Sequence, residues 1–166
     1  MSAHVRNLEL WDAPAAAAIY NDAVANRLAT FDDAPTPARD FEDDLREHLE
    51  THPAIAVEDG GTLVAYASSS PHSTYAPYRG IAEFSVYVAA PQRGKGFGKL
   101  ALRELVIRCT NAGFTKLLSR ILSDNAASRA LCASLGFREV GTYERHAQLD
   151  GAWRDVVIVE KLLETS

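Results

Sequence analysis

The sequence is poor in cysteine, in metal-type histidine patterns, in positive charge and in long apolar runs, and each shortage excludes something. Only Cys109 and Cys132 occur in 166 residues, without metal-type spacing between them, so neither a disulfide scaffold nor a zinc ribbon is expected. The five histidines, His4, His48, His52, His72 and His146, form no HExxH or paired-ligand pattern, which predicts a metal-free protein. Lysine and arginine total 17 against 22 aspartates and glutamates, a net charge of −5. That balance argues against nucleic acid or an anionic membrane as the main partner, since both reward broad basic surfaces. No uncharged apolar run approaches the ~18 residues of a membrane span. The opening MSAHVRNLELWDAP lacks the basic-then-apolar order of a secretory leader. A soluble, cytoplasmic protein is the expectation.

What is present looks globular. Apolar residues make up 47% and charged residues 23%, ordinary for a folded domain, and the length fits one domain over residues 1–166. VRNLEL alternates as a first strand ending near Trp11. Asp12 is placed to cap a helix through AAAAIYNDAVAN, with Pro14 in its first turn. Thr36 or Pro37 opens a second helix, ARDFEDDLREHLE, which lines up Phe41, Leu45 and Leu49 on one face and leaves its acids to solvent. From residue 54 the period becomes two: AIAVED and TLVAYASSS flank DGG, a hairpin signal. IAEFSVYVAA is a strand, followed by a helix from about Gly98 to Ala112 and a strand at KLLSRIL. NAASRALCASLGF is a helix stopped by Gly136, REVGTYERH a strand, LDGAW a turn and RDVVIVEKLL the last strand. This order predicts an α/β protein, a mixed central sheet with flanking helices, in which antiparallel pairs are joined by at least one βαβ crossover.

One stretch stands out against the acidic background. SVYVAAPQRGKGFGKLALREL runs from an apolar strand into Gly94, Gly96 and Gly98, with Arg93, Lys95 and Lys99 among them, at the start of a helix. Unpaired backbone N–H groups and the positive dipole end make a helix N-terminus an anion site, and glycines let the backbone come close. A nucleotide P-loop is excluded: Gly94 to Gly98–Lys99 is one residue short, and Leu100 stands where a hydroxyl should hold magnesium. A dinucleotide fingerprint fits poorly, since the third glycine falls early and the turn follows a hairpin rather than the opening strand. A flexible turn with surface cations is the plain alternative.

RGKGFG (Arg93–Gly98), with the strand SVYVAAP before it and NAASRALCASLGF after it, resembles the signature of the GNAT superfamily of N-acetyltransferases, over nearly the whole chain. Within it, IYNDAVANRLATF, YRGIAEFSVYV, NAASRALCASLGFREVG and DGAWRDVVIVEK are similar to segments of the phosphinothricin, arsinothricin and methionine sulfone N-acetyltransferase group. The resemblance implies a GNAT acyl-CoA N-acyltransferase fold, acetyl-CoA as cosubstrate, a small amino-acid-like amine as acceptor, and a homodimer. It implies that Arg93, Gly94, Lys95, Gly96, Phe97 and Gly98 hold the pyrophosphate and that the backbone of Val86, Tyr87 and Val88 pairs with the pantetheine arm. Asn125 would meet that arm too, although it is also placed to cap a helix.

Direct attack of an amine on a thioester needs a proton acceptor, an N–H donor for the developing oxyanion and a proton for the leaving thiolate. Glu83 is the candidate base: it shares one face of its strand with Ser85 and Tyr87, and a carboxylate there is either paired, Arg79 being the near cation, or functional. It also stands where the group has its proposed base. Cys132 replaces the tyrosine or histidine of relatives, and is either a thiol acid or a small buried hydrophobe. His146 is a lower-ranked catalytic alternative. The resemblance places Phe31, Tyr75, Tyr78 and Arg79 around the acceptor; Ser73 and Tyr75 occupy the places of two substrate-binding arginines, leaving His72 and Arg79 as nearby positive candidates. Trp153 reads as core or interface. An acidic acceptor pocket would favour a polyamine, and a surviving cation a carboxylate; a protein N-terminus or a non-catalytic acyl-CoA sensor are further alternatives.

Overall fold

The computed structural model describes residues 3–26 and 30–164; Arg27, Leu28 and Ala29 of the segment IYNDAVANRLATF lie outside them. The strands and helices, in chain order, are β1 (Ala3–Asn7), α1 (Ala13–Ala25), α2 (Ala38–His48), β2 (Ala54–Asp59), β3 (Thr62–Pro71), β4 (Ile81–Val88), α3 (Phe97–Asn111), β5 (Lys116–Leu122), α4 (Ala126–Ser134), β6 (Arg138–Leu149) and β7 (Ala152–Leu162). The strands form one sheet in the order β1-β2-β3-β4-β5-β7-β6. Every neighbouring pair is antiparallel except β4 and β5, which α3 connects as a βαβ crossover. The expected α/β class with a mixed sheet and flanking helices is the one found.

The alternation of β4 sorts the two layers. Ala82, Phe84, Val86 and Val88 pack with Phe97, Ala101, Leu102 and Leu105 of α3 and Cys132 of α4. Tyr87 points the other way, joining Ile19 of α1, Leu45 of α2 and Tyr66 of β3. Leu102 and Leu105 are fully buried, each worth about 1.5–3 kcal/mol against exposure. The DGG hairpin forms as expected, with Gly60 and Gly61 at φ 60° and 83°, the left-handed values a two-residue turn requires. Among the described residues no helix is long and apolar enough to cross a membrane.

Two details differ from expectation. Asp12 does occupy the N-cap of α1, but its carboxylate caps nothing in that helix. It accepts the Glu9 N–H at 2.8 Å and two N–H groups of Arg6 at 2.7 Å, because β1 delivers Arg6 beside it; Arg6 also reaches Glu58 of β2 at 2.7 Å. The last hairpin is longer than expected: β6 and β7 pair up to Leu149 and Ala152 around a turn of Asp150 and Gly151, both at positive φ. β6 also carries a bulge between Tyr143 and Ala147, where Arg145 adopts φ 48° and its N–H donates to Asp155 at 2.8 Å. Trp153, on this hairpin, is 57% exposed and no part of the core.

Burial would raise the pKa of Asp12, but hydrogen bonds from Arg6 and Glu9 and the Arg6 charge outweigh it and hold the carboxyl below the ordinary range. Arg6 keeps Glu58 when Asp12 is replaced, so Asp12→Asn is expected to lower stability at pH 7 by about 1.5–3 kcal/mol, the loss of a charged hydrogen bond. The contribution is complete above the unfolded-state value of about 3.9 and is lost as pH falls through the lower folded-state value. Urea unfolding of both proteins across pH checks it: the gap should close in acid, and a gap constant with pH would contradict it.

Candidate active site

The site begins where the sheet comes apart. β4 and β5 pair in parallel over three residues only, Ile81–Glu83 against Lys116–Leu118. Beyond them β4 stays with β3 as far as Val88, and β5 stays with β7 as far as Leu122, so each strand follows its antiparallel partner and the two part. At the break Ser119 Oγ donates to the Phe84 carbonyl at 2.9 Å, satisfying an acceptor the ladder no longer reaches. A narrow cavity of about 100 Å³ fills the gap, walled by Ser85, Val86, Tyr87, Arg120, Asn125 and Cys132 among others.

Two larger cavities share walls with it, each in the size range of small-molecule sites. The first, of about 380 Å³, lies over the N-terminus of α3 and takes in Val86, Tyr87, Val88, Arg93, Gly94, Gly96, Gly98, Lys99 and Asn125. Gly94 and Gly96 adopt φ 79° and 88°, which a side chain would strain. A Cβ on Gly98 would stand 3.2 Å from Val88, so glycine lets α3 lie close to β4. The first helical hydrogen bond runs from Leu100 N–H to the Gly96 carbonyl, and the preceding amides point out of the helix end. Arg93 lies 3.5 Å from Asp22 of α1, and Lys95 donates to Gln92 at 3.0 Å. The Phe97 side chain is core, 2% exposed, so only its backbone can serve a ligand. Asn125 caps α4 by accepting the Ser128 N–H at 3.1 Å while also walling both cavities. An open helix end with left-handed glycines and two cations suits a pyrophosphate.

The second, of about 490 Å³, lies on the other side, between α2, the segment before it and β3. Tyr20, Phe41, Tyr66 and Tyr87 form a chain of aromatic contacts there, with Tyr66 and Tyr87 5.6 Å apart. Asp32, Asp40 and Asp44 line it, with no lysine or arginine among the described residues. Phe31, 39% exposed, stands between this cavity and the gap. Tyr87 walls all three spaces; burial, opposed by hydrogen bonds, pushes its phenol up to about 12, so it stays neutral.

Glu83 is the last β4 residue of the parallel ladder; it walls none of the three cavities and touches the gap through Arg120. Its Oε1 accepts from Arg120 Nη1 at 2.6 Å and its Oε2 faces His72 Nδ1 at 2.8 Å. The partner is therefore not Arg79, which donates to the Ala76 carbonyl at 3.3 Å in an exposed turn. Tyr75 and Tyr78 are 67% and 48% exposed and wall none of the three cavities; Tyr78 reaches the site only through His72, 6.0 Å away ring to ring. His146 lies exposed on the β6 bulge, stacked on Tyr143 at 4.6 Å. Arg120 was missed by the sequence reading. The signal was there: KLLSRIL carries an arginine between apolar residues and IAEFSVYV a glutamate, opposite in sign.

The model of the acetyltransferase (GNAT) family matches residues 16–137. The chain belongs to this family. It is an acetyl-CoA-dependent N-acetyltransferase, with acetyl-CoA as cosubstrate. An L-methionine sulfoximine/L-methionine sulfone acetyltransferase of Pseudomonas aeruginosa is 34% identical, over 99% of this chain and 96% of that one. The structure of a phosphinothricin acetyltransferase from Sinorhizobium meliloti in complex with acetyl-CoA superposes with a TM-score of 0.93 at 30% identity, covering 98% of this chain and 89% of that one. A ribosomal-protein-alanine N-acetyltransferase from Brucella melitensis superposes with a TM-score of 0.92 at 35% identity, over 96% and 99% of the two chains.

Cys132 of this GNAT chain borders the gap yet is 3% exposed. Burial, with the Glu139 charge, pushes its thiol up to about 12, so passing its proton to a thiolate of ordinary basicity would be uphill. Cys132→Ala is expected to keep kcat within about threefold, since a general acid contributes about 10²–10⁴. Steady-state kinetics on the folded variant decides; a hundredfold loss would restore the thiol as acid.

Proposed function

We propose that this enzyme transfers the acetyl group of acetyl-CoA to the amino group of a small amino-acid-like acceptor, of the methionine sulfone, methionine sulfoximine, phosphinothricin or arsinothricin type, by direct attack in a ternary complex. The observation that carries this reading is the run of three spaces through the parted sheet: an anion-binding turn at one end, an aromatic cavity at the other, and a narrow passage beside β4 between them. The relatives named for methionine sulfone and phosphinothricin support the acceptor class.

Acetyl-CoA supplies an activated acyl carbon and a thiol leaving group; the rest falls to the chain. The amides of Gly94 to Gly98, with the Arg93 and Lys95 side chains, hold the pyrophosphate at the dipole end of α3. The β4 backbone at Val86, Tyr87 and Val88, released from β5, orients the pantetheine arm and offers an N–H to the acyl oxygen. Asn125 meets that arm while capping α4. Glu83 receives the amine proton at the fork, and solvent rather than Cys132 returns one to the thiolate. Phe31 closes the acceptor side, and Tyr75, Tyr78 and Arg79 form its outer rim beyond His72. The chain acts as one domain, cytoplasmic and homodimeric. Asp32, Asp40 and Asp44 favour a second reading, an acceptor with a cationic far end such as a polyamine.

A thiol-release screen over phosphinothricin, methionine sulfone and sulfoximine, arsinothricin, common amino acids and polyamines tests the class. Release with an amino-acid-like acceptor is expected, and turnover with polyamines alone would overturn it. Glu83→Gln should lower kcat by about 10²–10⁴ with an unchanged melting temperature and flatten the pH–rate profile. An unaltered profile in that variant would remove Glu83 from the chemistry.

A further inference from the structure

Among the described residues, Arg120 is the one charged residue in the wall of the narrow cavity between β4 and β5. Its Nη1 is committed to Glu83 Oε1 at 2.6 Å, while its Nε and Nη2 have no hydrogen-bond partner among the described residues. The side chain is 46% exposed, so those N–H groups are open to a ligand. The other cations in the three connected spaces, Arg93 and Lys99, belong to the glycine turn at the far end. Among the described residues, the acceptor cavity beyond Phe31 contains three aspartates and neither lysine nor arginine. Of their guanidinium groups, an acceptor carboxylate entering from that side therefore meets one, that of Arg120.

A guanidinium has five N–H donors in a planar fork and can serve two carboxylates at once. We infer that Arg120 and Glu83 together read the head group of a free α-amino acid: Arg120 takes the α-carboxylate on its unpaired N–H groups, and Glu83, held on the same guanidinium, meets the amine one carbon away. The inference rests on the acceptor class proposed above and narrows it. At a peptide N-terminus the carboxylate is replaced by an amide that cannot form the charge-assisted pair. A polyamine has no carboxylate to offer Arg120 and leaves its spare N–H groups without the charge-assisted pair. The competing explanation is that Arg120 only neutralises and positions Glu83, in which case all acceptors would depend on it equally.

The test compares kcat/KM for L-methionine sulfone and for its α-carboxamide in wild type, Arg120→Gln, Arg120→Lys and Glu83→Gln. Because each enzyme sees the same pair of amines, their difference in basicity cancels in the ratio. In Arg120→Gln the acid-to-amide ratio should fall at least about tenfold, the usual loss for a charged hydrogen bond, through the KM of the acid and with the KM of acetyl-CoA unchanged. Arg120→Lys, which keeps the charge and gives up the fork, should fall in between and carries the test if the glutamine variant does not melt cooperatively. Glu83→Gln should slow both acceptors and leave the ratio near that of wild type. Equal losses for acid and amide in the Arg120 variants, within about twofold, would reduce Arg120 to a support for Glu83 and overturn the inference. If wild type turns over another amino acid of the screen instead, that acid and its α-carboxamide replace the pair; turnover with polyamines alone would overturn the acceptor class itself, and this inference with it.

Discussion

The parting of β4 from β5 is the constraint on which the rest depends. Three residues of parallel ladder hold the two strands together; after that the antiparallel partners on either side carry each strand away. A parted sheet would normally strand backbone groups in the interior, at a cost of about 1–3 kcal/mol each. Here the Ser119 hydroxyl takes the Phe84 carbonyl at the break, and the remaining edge of β4 lines a cavity that a ligand can enter. The helices then fall into place: α3 lies close over β4 because position 98 is glycine, and its N-terminus opens beside the strand. A backbone edge and a helix end thus border one continuous cavity.

Two sets of ion pairs tie separate elements together, beside the local pairs within α2 and α3. Arg6 joins Asp12 and Glu58, tying β1 to β2 and to the start of α1. Arg120 joins Glu83 across the β4–β5 fork. The first pair is well shielded, with Asp12 nearly buried, and serves stability; the second is open on the arginine side and has donors to spare. Half-burial rather than charge separates the two cases. It leaves the Arg120–Glu83 pair able to exchange water for a ligand without breaking its own bond.

Much of the fold was legible from period alone. The switch to alternation at residue 54, the DGG turn, the strand IAEFSVYV and the helix after Gly96 follow from local rules, and the observed bounds differ from the expected ones by a residue or two. The glycine turn was legible because backbone freedom and helix-end electrostatics are local too. The parting of the strands was not, since it depends on which neighbour each strand keeps. The same holds for Glu83, whose partners lie 11 and 37 residues away; the nearest cation in sequence, Arg79, turned out to serve its own turn. Asp12 was read as a helix cap because nothing in the sequence shows that β1 brings Arg6 alongside it.

Tyr87 is the wall common to the donor space, the gap and the acceptor space, held between Tyr20 and Tyr66 in the aromatic layer. On the proposed function that ring borders both ligands, and any displacement of it by one ligand would couple the binding of the two. Whatever free energy acetyl-CoA spends or gains in settling that ring is passed to the acceptor, and the acceptor returns the same amount to acetyl-CoA.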